Sequence, residues 1–227
     1  MQVIMAAAGR GQRFIDWSKT PKAFTDINGT PMWVKSITPW LKYGKPTIVF
    51  HKDHKHWFED PGFECNYVWL ENYTEGPAET CYKGLIDRNG NDSVVFVDCD
   101  SNITFDTEKW DTSVGGLFVM KKNNPVHSYS KIDENGYVIE VKEKEVISPW
   151  ANTGHFWFAN VSEFVDLFEY AYKNKIKHKG EYYIAPLYND AIQRLDMKFK
   201  ILEVDKWYCW GTPQDVESFV ANCEEKN

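Results

Sequence analysis

Short apolar runs alternate with stretches whose apolar residues recur three and four positions apart. Residues 3–8 form a continuous apolar run that meets Gly9 and Gly11, which predicts a buried strand and a tight loop. Asn28-Gly29 marks a turn. Thr30 then caps a helix with Pro31 at its first position; Met32, Val34, Ile37 and Leu41 share its apolar face, and it ends near Gly44. Residues 46–50, 65–70 and 94–97 read as further strands, with a helix over 78–86. Residues 115–120 are another strand. Residues 129–132 and 137–141 flank Asp133-Glu134-Asn135-Gly136 as a hairpin. In the strand over 152–158, Phe156 and Phe158 face one way, and His155 and Trp157 the other. Asn160 and Glu163 form a capping box before Phe164, Leu167, Phe168 and Ala171. A helix over 186–195 and a strand over 199–204 follow, and Thr212, Pro213 and Asp215 open a last helix. This order argues for an α/β sheet.

Composition narrows the class. With 227 residues, 43% hydrophobic and 16% aromatic, the chain suits one domain with a sizeable core. The formal net charge of −7 disfavours a general nucleic-acid partner. Five cysteines, odd in number and without zinc-type spacing, point to free thiols in a reducing compartment. No secretory signal and no apolar stretch of membrane-spanning length is evident, so the expectation is a soluble, cytoplasmic protein without a membrane partner. Neither an internal repeat nor a low-complexity tract occurs.

The candidate chemistry starts in the first loop. Ala8, Gly9 and Gly11 allow close backbone approach, and amides bared in such a turn can point at anionic oxygens. Arg13 adds a planar fork of donors suited to phosphate, and Lys22 a second charge just after Pro21. A P-loop would end in Gly-Lys-Ser/Thr, which is absent. The dinucleotide fingerprint needs a third glycine where Phe14 stands. The loop therefore reads as a different triphosphate cradle.

These residues resemble the signature of the sugar-phosphate nucleotidyltransferases: Ala7, Ala8, Gly9, Gly11 and Arg13, then Pro21-Lys22, then Gly29-Thr30-Pro31-Met32. The resemblance implies a single three-layer α/β/α Rossmann-like domain over 1–227. Its sheet would be mixed and mostly parallel, with a small β-hairpin acceptor subregion. A nucleotide-binding half would cover about 1–112 and an acceptor-binding half about 113–227. It also implies transfer of a nucleoside monophosphate from an NTP to a sugar 1-phosphate or similar phosphate ester, with release of pyrophosphate, for surface-polysaccharide precursors. Arg13, Lys22 and Asp100 would be catalytic. Ala7, Ala8, Gly9, Gly11, Gly76, Pro77, Ala78 and Asp98 would complete the nucleotide site, and Asp100 with Asp98 would hold Mg²⁺. Oxygen donors at a strand's carboxyl end suit that ion. Glu143, Lys144, Asn152, Gly154 and Glu181 would bind the acceptor.

One departure stands out. The family has Asp-x-Gly-Thr-Pro near its end, with the aspartate a second metal ligand; here Cys209 takes that place, and a neutral thiol serves Mg²⁺ poorly. Asp98 and Asp100 would then share the metal, or Asp205 would reach in. Asp98-Cys99-Asp100 also fits a GT-A glycosyltransferase using a sugar nucleotide, and Cys209 keeps open a nucleotide-binding regulatory domain without turnover. His51, His54 and His56 lack a shared helical face for a metal and read as a solvated loop. His155 reads as a hydrogen-bonded residue in a partly buried strand.

Overall fold

The apolar runs become the strands of one sheet. The computed structural model of the chain describes residues 1–224. In order its elements are β1 (Gln2–Ala6), α1 (Gln12–Ser18), α2 (Met32–Ile37), β2 (Thr47–His51), β3 (Asn66–Leu70), α3 (Pro77–Gly84), β4 (Val94–Asp98), β5 (Ser101–Thr104), β6 (Gly116–Lys121), β7 (Tyr129–Ile132), β8 (Val138–Lys142), β9 (Trp150–Phe158), α4 (Val161–Lys173), α5 (Ala185–Leu195), β10 (Lys200–Glu203), β11 (Lys206–Cys209) and α6 (Pro213–Glu224). The main sheet runs β10-β6-β9-β4-β1-β2-β3, with the β7–β8 hairpin attached through β7 to β9. β4, β1, β2 and β3 are parallel neighbours, as are β6 and β10, while β9 runs against both β4 and β6. The sheet is thus mixed and mostly parallel, as the resemblance implied.

Alternation sorts each strand between two cores. Ile4, Val94, Phe96, Phe156 and Phe158 face one cluster, into which α3, α4 and α5 send Cys81, Phe164 and Tyr188. Val3, Met5, Val95, Val97 and Trp157 face the other, closed by Trp33, Ile37 and Trp40. A third, smaller cluster joins Phe14 of α1 to Trp210 and to Val216 of α6, tying the last helix to the first loop.

Four readings are corrected. The helix expected to run to Gly44 stops at Ile37, and Thr38–Tyr43 is a 3₁₀ turn, because Pro39 has no N–H to continue the ladder. Thr30 does not cap that helix: Pro31 is its N-cap, and the Thr30 carbonyl accepts from the Ile27 amide at 2.8 Å to close the Asn28-Gly29 turn. Of the three neighbouring histidines only His56 is exposed; His51 and His54 are each 2% exposed. Aromatic packing draws them in, His54 against Phe24 and Trp57, and His51 face to face with Tyr73. The strand carrying His155 is buried along most of its length rather than partly, with His155 itself fully buried against Trp40. The antiparallel pair of β5 and β11, four residues each, had no signature in the hydrophobic pattern.

Candidate active site at the carboxyl ends of the strands

Loop geometry gathers the cations. Gly11 has φ of 58°, and a Cβ placed there would stand 3.0 Å from both the Cβ and the backbone nitrogen of Lys22. Only glycine tolerates both conditions, so the first loop packs directly on the segment carrying Lys22. Arg13 and Lys22 are thereby held on one side of a cleft. Lys22 is ion-paired with Asp100. Burial works against its charge, but the Asp100 carboxylate outweighs that and holds the ammonium above its usual range.

The carboxylates come from the sheet. Asp98 ends β4, and Asp100 follows in the turn to β5. Gly154 explains how Asp98 is seated. It has φ of 80° where β9 slips register against β6, and any Cβ there would collide with the Asp98 carboxylate. Gly154, expected as an acceptor contact, lines the larger cavity, and its missing side chain leaves room for the Asp98 carboxylate. Burial, with Asp100 next in importance and Lys22 opposing, pushes the Asp98 carboxyl up to about 8.

Long-range pairing completes the floor. β11 lies antiparallel to β5 with Cys209 opposite Ser101, and the Trp210 amide donates to the Asp100 carbonyl at 2.8 Å. A Cβ on Gly211 would lie 3.5 Å from Cys209 Sγ, 3.6 Å from Asp100 Oδ2 and 3.8 Å from Asp215 Oδ2, so these three groups converge. Burial, with Asp100 adding, pushes the Cys209 thiol up to about 12, which keeps it neutral. Asp205 does not reach in. It is exposed at the far end of β11, with its amide on the Thr104 carbonyl. Asp215, foreseen only as a cap, both accepts from the Thr212 amide at 2.8 Å and lines the cleft.

The cleft has two adjoining cavities. One, of about 700 Å³, is lined by Ala8, Gly9, Gly11, Tyr73, Gly76 and Glu181 among others. The second, of about 880 Å³, is lined by Glu143, Lys144, Asn152, Gly154 and residues of β11 and α6. Arg13, Lys22, Pro77, Asp98, Asp100 and Gly211 border both. Lys144 donates to the Tyr183 hydroxyl at 3.0 Å from a backbone with φ of 56°, a conformation that costs a non-glycine residue energy. Its ammonium loses some basicity to burial, but the Tyr183 hydroxyl together with Glu143 and Glu181 raises it above its usual range. Burial raises the Glu143 carboxyl.

Three expected contacts fall elsewhere. Ala7 points into the core and its amide donates to the Val49 carbonyl at 2.9 Å, because alternate residues of an extended run face opposite ways. Ala78, in the first turn of α3, is fully buried, its amide on the Tyr182 carbonyl. Glu181 borders the smaller cavity, not the one with Glu143 and Lys144, because its loop pairs with Glu75 through the Tyr182 amide. Sequence reasoning missed Lys179, gave no role to Lys122, and gave none to Tyr183, the last residue of the Glu181-Tyr182-Tyr183 run; all three line the larger cavity.

Comparison with known proteins follows this geometry. Residues 3–105 match the family model of the MobA-like NTP transferase domain. No curated protein matches the chain. Among solved structures, a nucleoside-diphosphate-sugar pyrophosphorylase from Vibrio cholerae RC9 superposes with a TM-score of 0.80 at 21% identity, covering 97% of this chain and 100% of that one. A putative glucose-1-phosphate thymidylyltransferase from Bacillus anthracis gives 0.76 at 21% identity over 100% and 96% of the two chains. The inositol-1-phosphate CTP transferase from T. maritima gives 0.75 at 16% over 99% and 96%. The resemblance carried by the opening signature is thus met by the family match, and the fold is that of these nucleotidyltransferases.

Proposed function

We propose that the chain is a nucleotidyltransferase, moving a nucleoside monophosphate from an NTP to a sugar 1-phosphate or a similar phosphate ester and releasing pyrophosphate. The observation that carries this reading is the set of six residues bordering both cavities, with two cations and two carboxylates among them. A donor in the smaller cavity and an acceptor in the larger would meet at that border. Phosphoryl transfer of this kind depends on positioning and on neutralising charge. Arg13, exposed in the cleft, would steady the triphosphate, and Lys22 would sit where charge builds near the α-phosphate. Lys144 would take the acceptor phosphate and Glu143 a hydroxyl. The acceptor phosphate is already ionised at neutral pH, so its oxygen attacks without a general base, and pyrophosphate leaves opposite.

The donor set suits a hard divalent cation. Asp98 and Asp100 offer oxygen ligands of the kind such an ion takes. Such an ion, as Mg²⁺, would screen phosphate charge when bound. No helix of the described residues is long and apolar enough to cross a membrane, and Cys65, Cys81, Cys99 and Cys209 are free thiols. The free thiols fit a reducing compartment.

The test is an incubation with each of ATP, CTP, GTP, UTP and dTTP, Mg²⁺ and a panel of phosphate esters. Hexose 1-phosphates, heptose 1-phosphates, inositol phosphate and choline phosphate make up the panel, with pyrophosphate and the nucleotide product read by mass. Pyrophosphate that requires both substrates is the expected result. Release of a nucleoside diphosphate from a sugar nucleotide instead would identify a glycosyltransferase. NTP binding with no turnover of any acceptor would favour a regulatory domain.

A further inference from the structure

The wall of the smaller cavity holds a column of flat groups to which the catalytic scheme gives no role. His51, at the end of β2, stacks on Tyr73 with ring centroids 3.7 Å apart and planes 11° from parallel. The Cζ of Arg10 sits 4.2 Å from the Tyr73 centroid. His51 is 2% exposed and accepts at Nδ1 from the Asp53 amide at 3.2 Å, so the base of the column is anchored. The Tyr73 hydroxyl lies 3.4 Å from Asp53 Oδ2. Arg10 is exposed and lines the cavity together with Tyr73.

The column's place in the sheet says which part of a nucleotide it meets. Tyr73 follows β3 and Asp98 ends β4, and these strands are separated by β1 and β2. At about 4.8 Å per strand the column stands roughly 14 Å across the sheet from the Asp98 strand. A triphosphate gripped by Arg13 and Lys22 beside Asp100 would send its nucleoside toward the β2–β3 side. Phe14 is the other aromatic residue bordering this cavity, and it is 1% exposed and packed in the core. Guanidinium planes and aromatic faces accept bases by stacking.

Resting on the nucleotidyltransferase reading, we propose that Arg10, seated over the Tyr73 ring that itself stacks on His51, is the platform on which the nucleobase of the NTP stacks. Arg13 and Lys22 would serve the phosphates, and Arg10 the base. Tyr73 would be a positioning residue, acting through Arg10.

The test separates base from phosphate. Titration calorimetry without acceptor first finds the tightest binder among ATP, CTP, GTP and UTP. Its affinity, that of the corresponding nucleoside monophosphate, and competition by inorganic tripolyphosphate are then measured for wild type, Arg10→Ala, Arg10→Lys and Tyr73→Leu. Arg10→Ala is expected to weaken NTP and monophosphate alike by about tenfold, as loss of one stacking contact does, with tripolyphosphate competition unchanged. Arg10→Lys, which keeps charge and loses the plane, and Tyr73→Leu should follow the same pattern. Weaker tripolyphosphate competition with unchanged monophosphate binding would make Arg10 a phosphate ligand and overturn the proposal, as would unchanged binding of all three. Failure of the wild type to bind any NTP would instead remove the nucleotidyltransferase reading on which it rests.

Discussion

At the scale of single residues, Lys22 and Asp98 are the two charged groups of the cleft whose protonation the fold changes most directly. Lys22 keeps its charge against burial because Asp100 is its partner. Lys22→Met removes the charge and retains most of the packing against Phe14, whose ring lies 5.7 Å from the ammonium. It is expected to lower kcat by about two to four orders of magnitude, the range for losing one preorganised electrostatic contact, with the circular dichroism spectrum unchanged. Near-normal turnover would remove Lys22 from the chemistry. Asp98 behaves oppositely. Its carboxyl titrates near 8 in the fold and near about 4 in the unfolded chain. Between those values the unfolded chain holds fewer protons, so the stability of the ligand-free protein present below about pH 4 is lost as pH rises through about 8. Asp98→Asn should therefore melt higher than wild type at pH 9, with the gap closing toward pH 4, while losing turnover. Melting curves of equal pH dependence for the two proteins would contradict the assignment.

At the scale of elements, the site depends on one irregularity in β9. The strand must slip register against β6 to put a left-handed residue beside the end of β4. Gly154→Ala places a methyl group against the Asp98 carboxylate and strains the backbone. A stability loss of about 1–3 kcal/mol in urea titration is expected, together with a fall in kcat as Asp98 is displaced. Wild-type stability and rate in that variant would show that β9 bends without cost. The same scale shows why some elements were legible and others were not. The β7–β8 hairpin announced itself through Asp133 to Gly136 between apolar runs, and α4 through its Asn160–Glu163 box, which the structure contains. β5 and β11 carry Ser-Asn-Ile-Thr and Lys-Trp-Tyr-Cys, too short and too mixed for any period to emerge. Pro39 was visible in the sequence, but the apolar spacing through Leu41 outweighed it in the reading, and the missing amide prevailed in the fold.

At the scale of the whole molecule, the aromatic core on one side of the sheet sets the acid stability. His155 is fully buried against Trp40, and burial pushes its ring down to about 3; His54, buried against Phe24, falls to about 4. Both rings are neutral in the fold, whereas the unfolded chain takes up protons near about 6.5. Stability is therefore lost as pH falls from about 6.5 toward 4, a slope opposite in sign to that of Asp98. His155→Phe keeps a flat apolar partner for Trp40 and removes one of these protons. Its melting temperature should fall less than that of wild type between pH 6.5 and 4.5. Parallel curves would show that His155 does not contribute to this slope.

What the sequence determined by itself is local. The opening strand, the glycines of the first loop, Arg13 and Lys22 lie within some twenty residues of one another, and short-range sterics and residue chemistry suffice to read them. Strand order decided the rest. Asp100 meets Lys22 across 78 residues, Cys209 comes beside it only because β11 pairs antiparallel with β5, and Asp215 joins them because α6 packs on α1. Register moved Ala7 into the core and packing placed Glu181 on the other cavity. Such contacts arise from burying apolar faces and satisfying backbone hydrogen bonds over the whole chain, and no local periodicity carries that information.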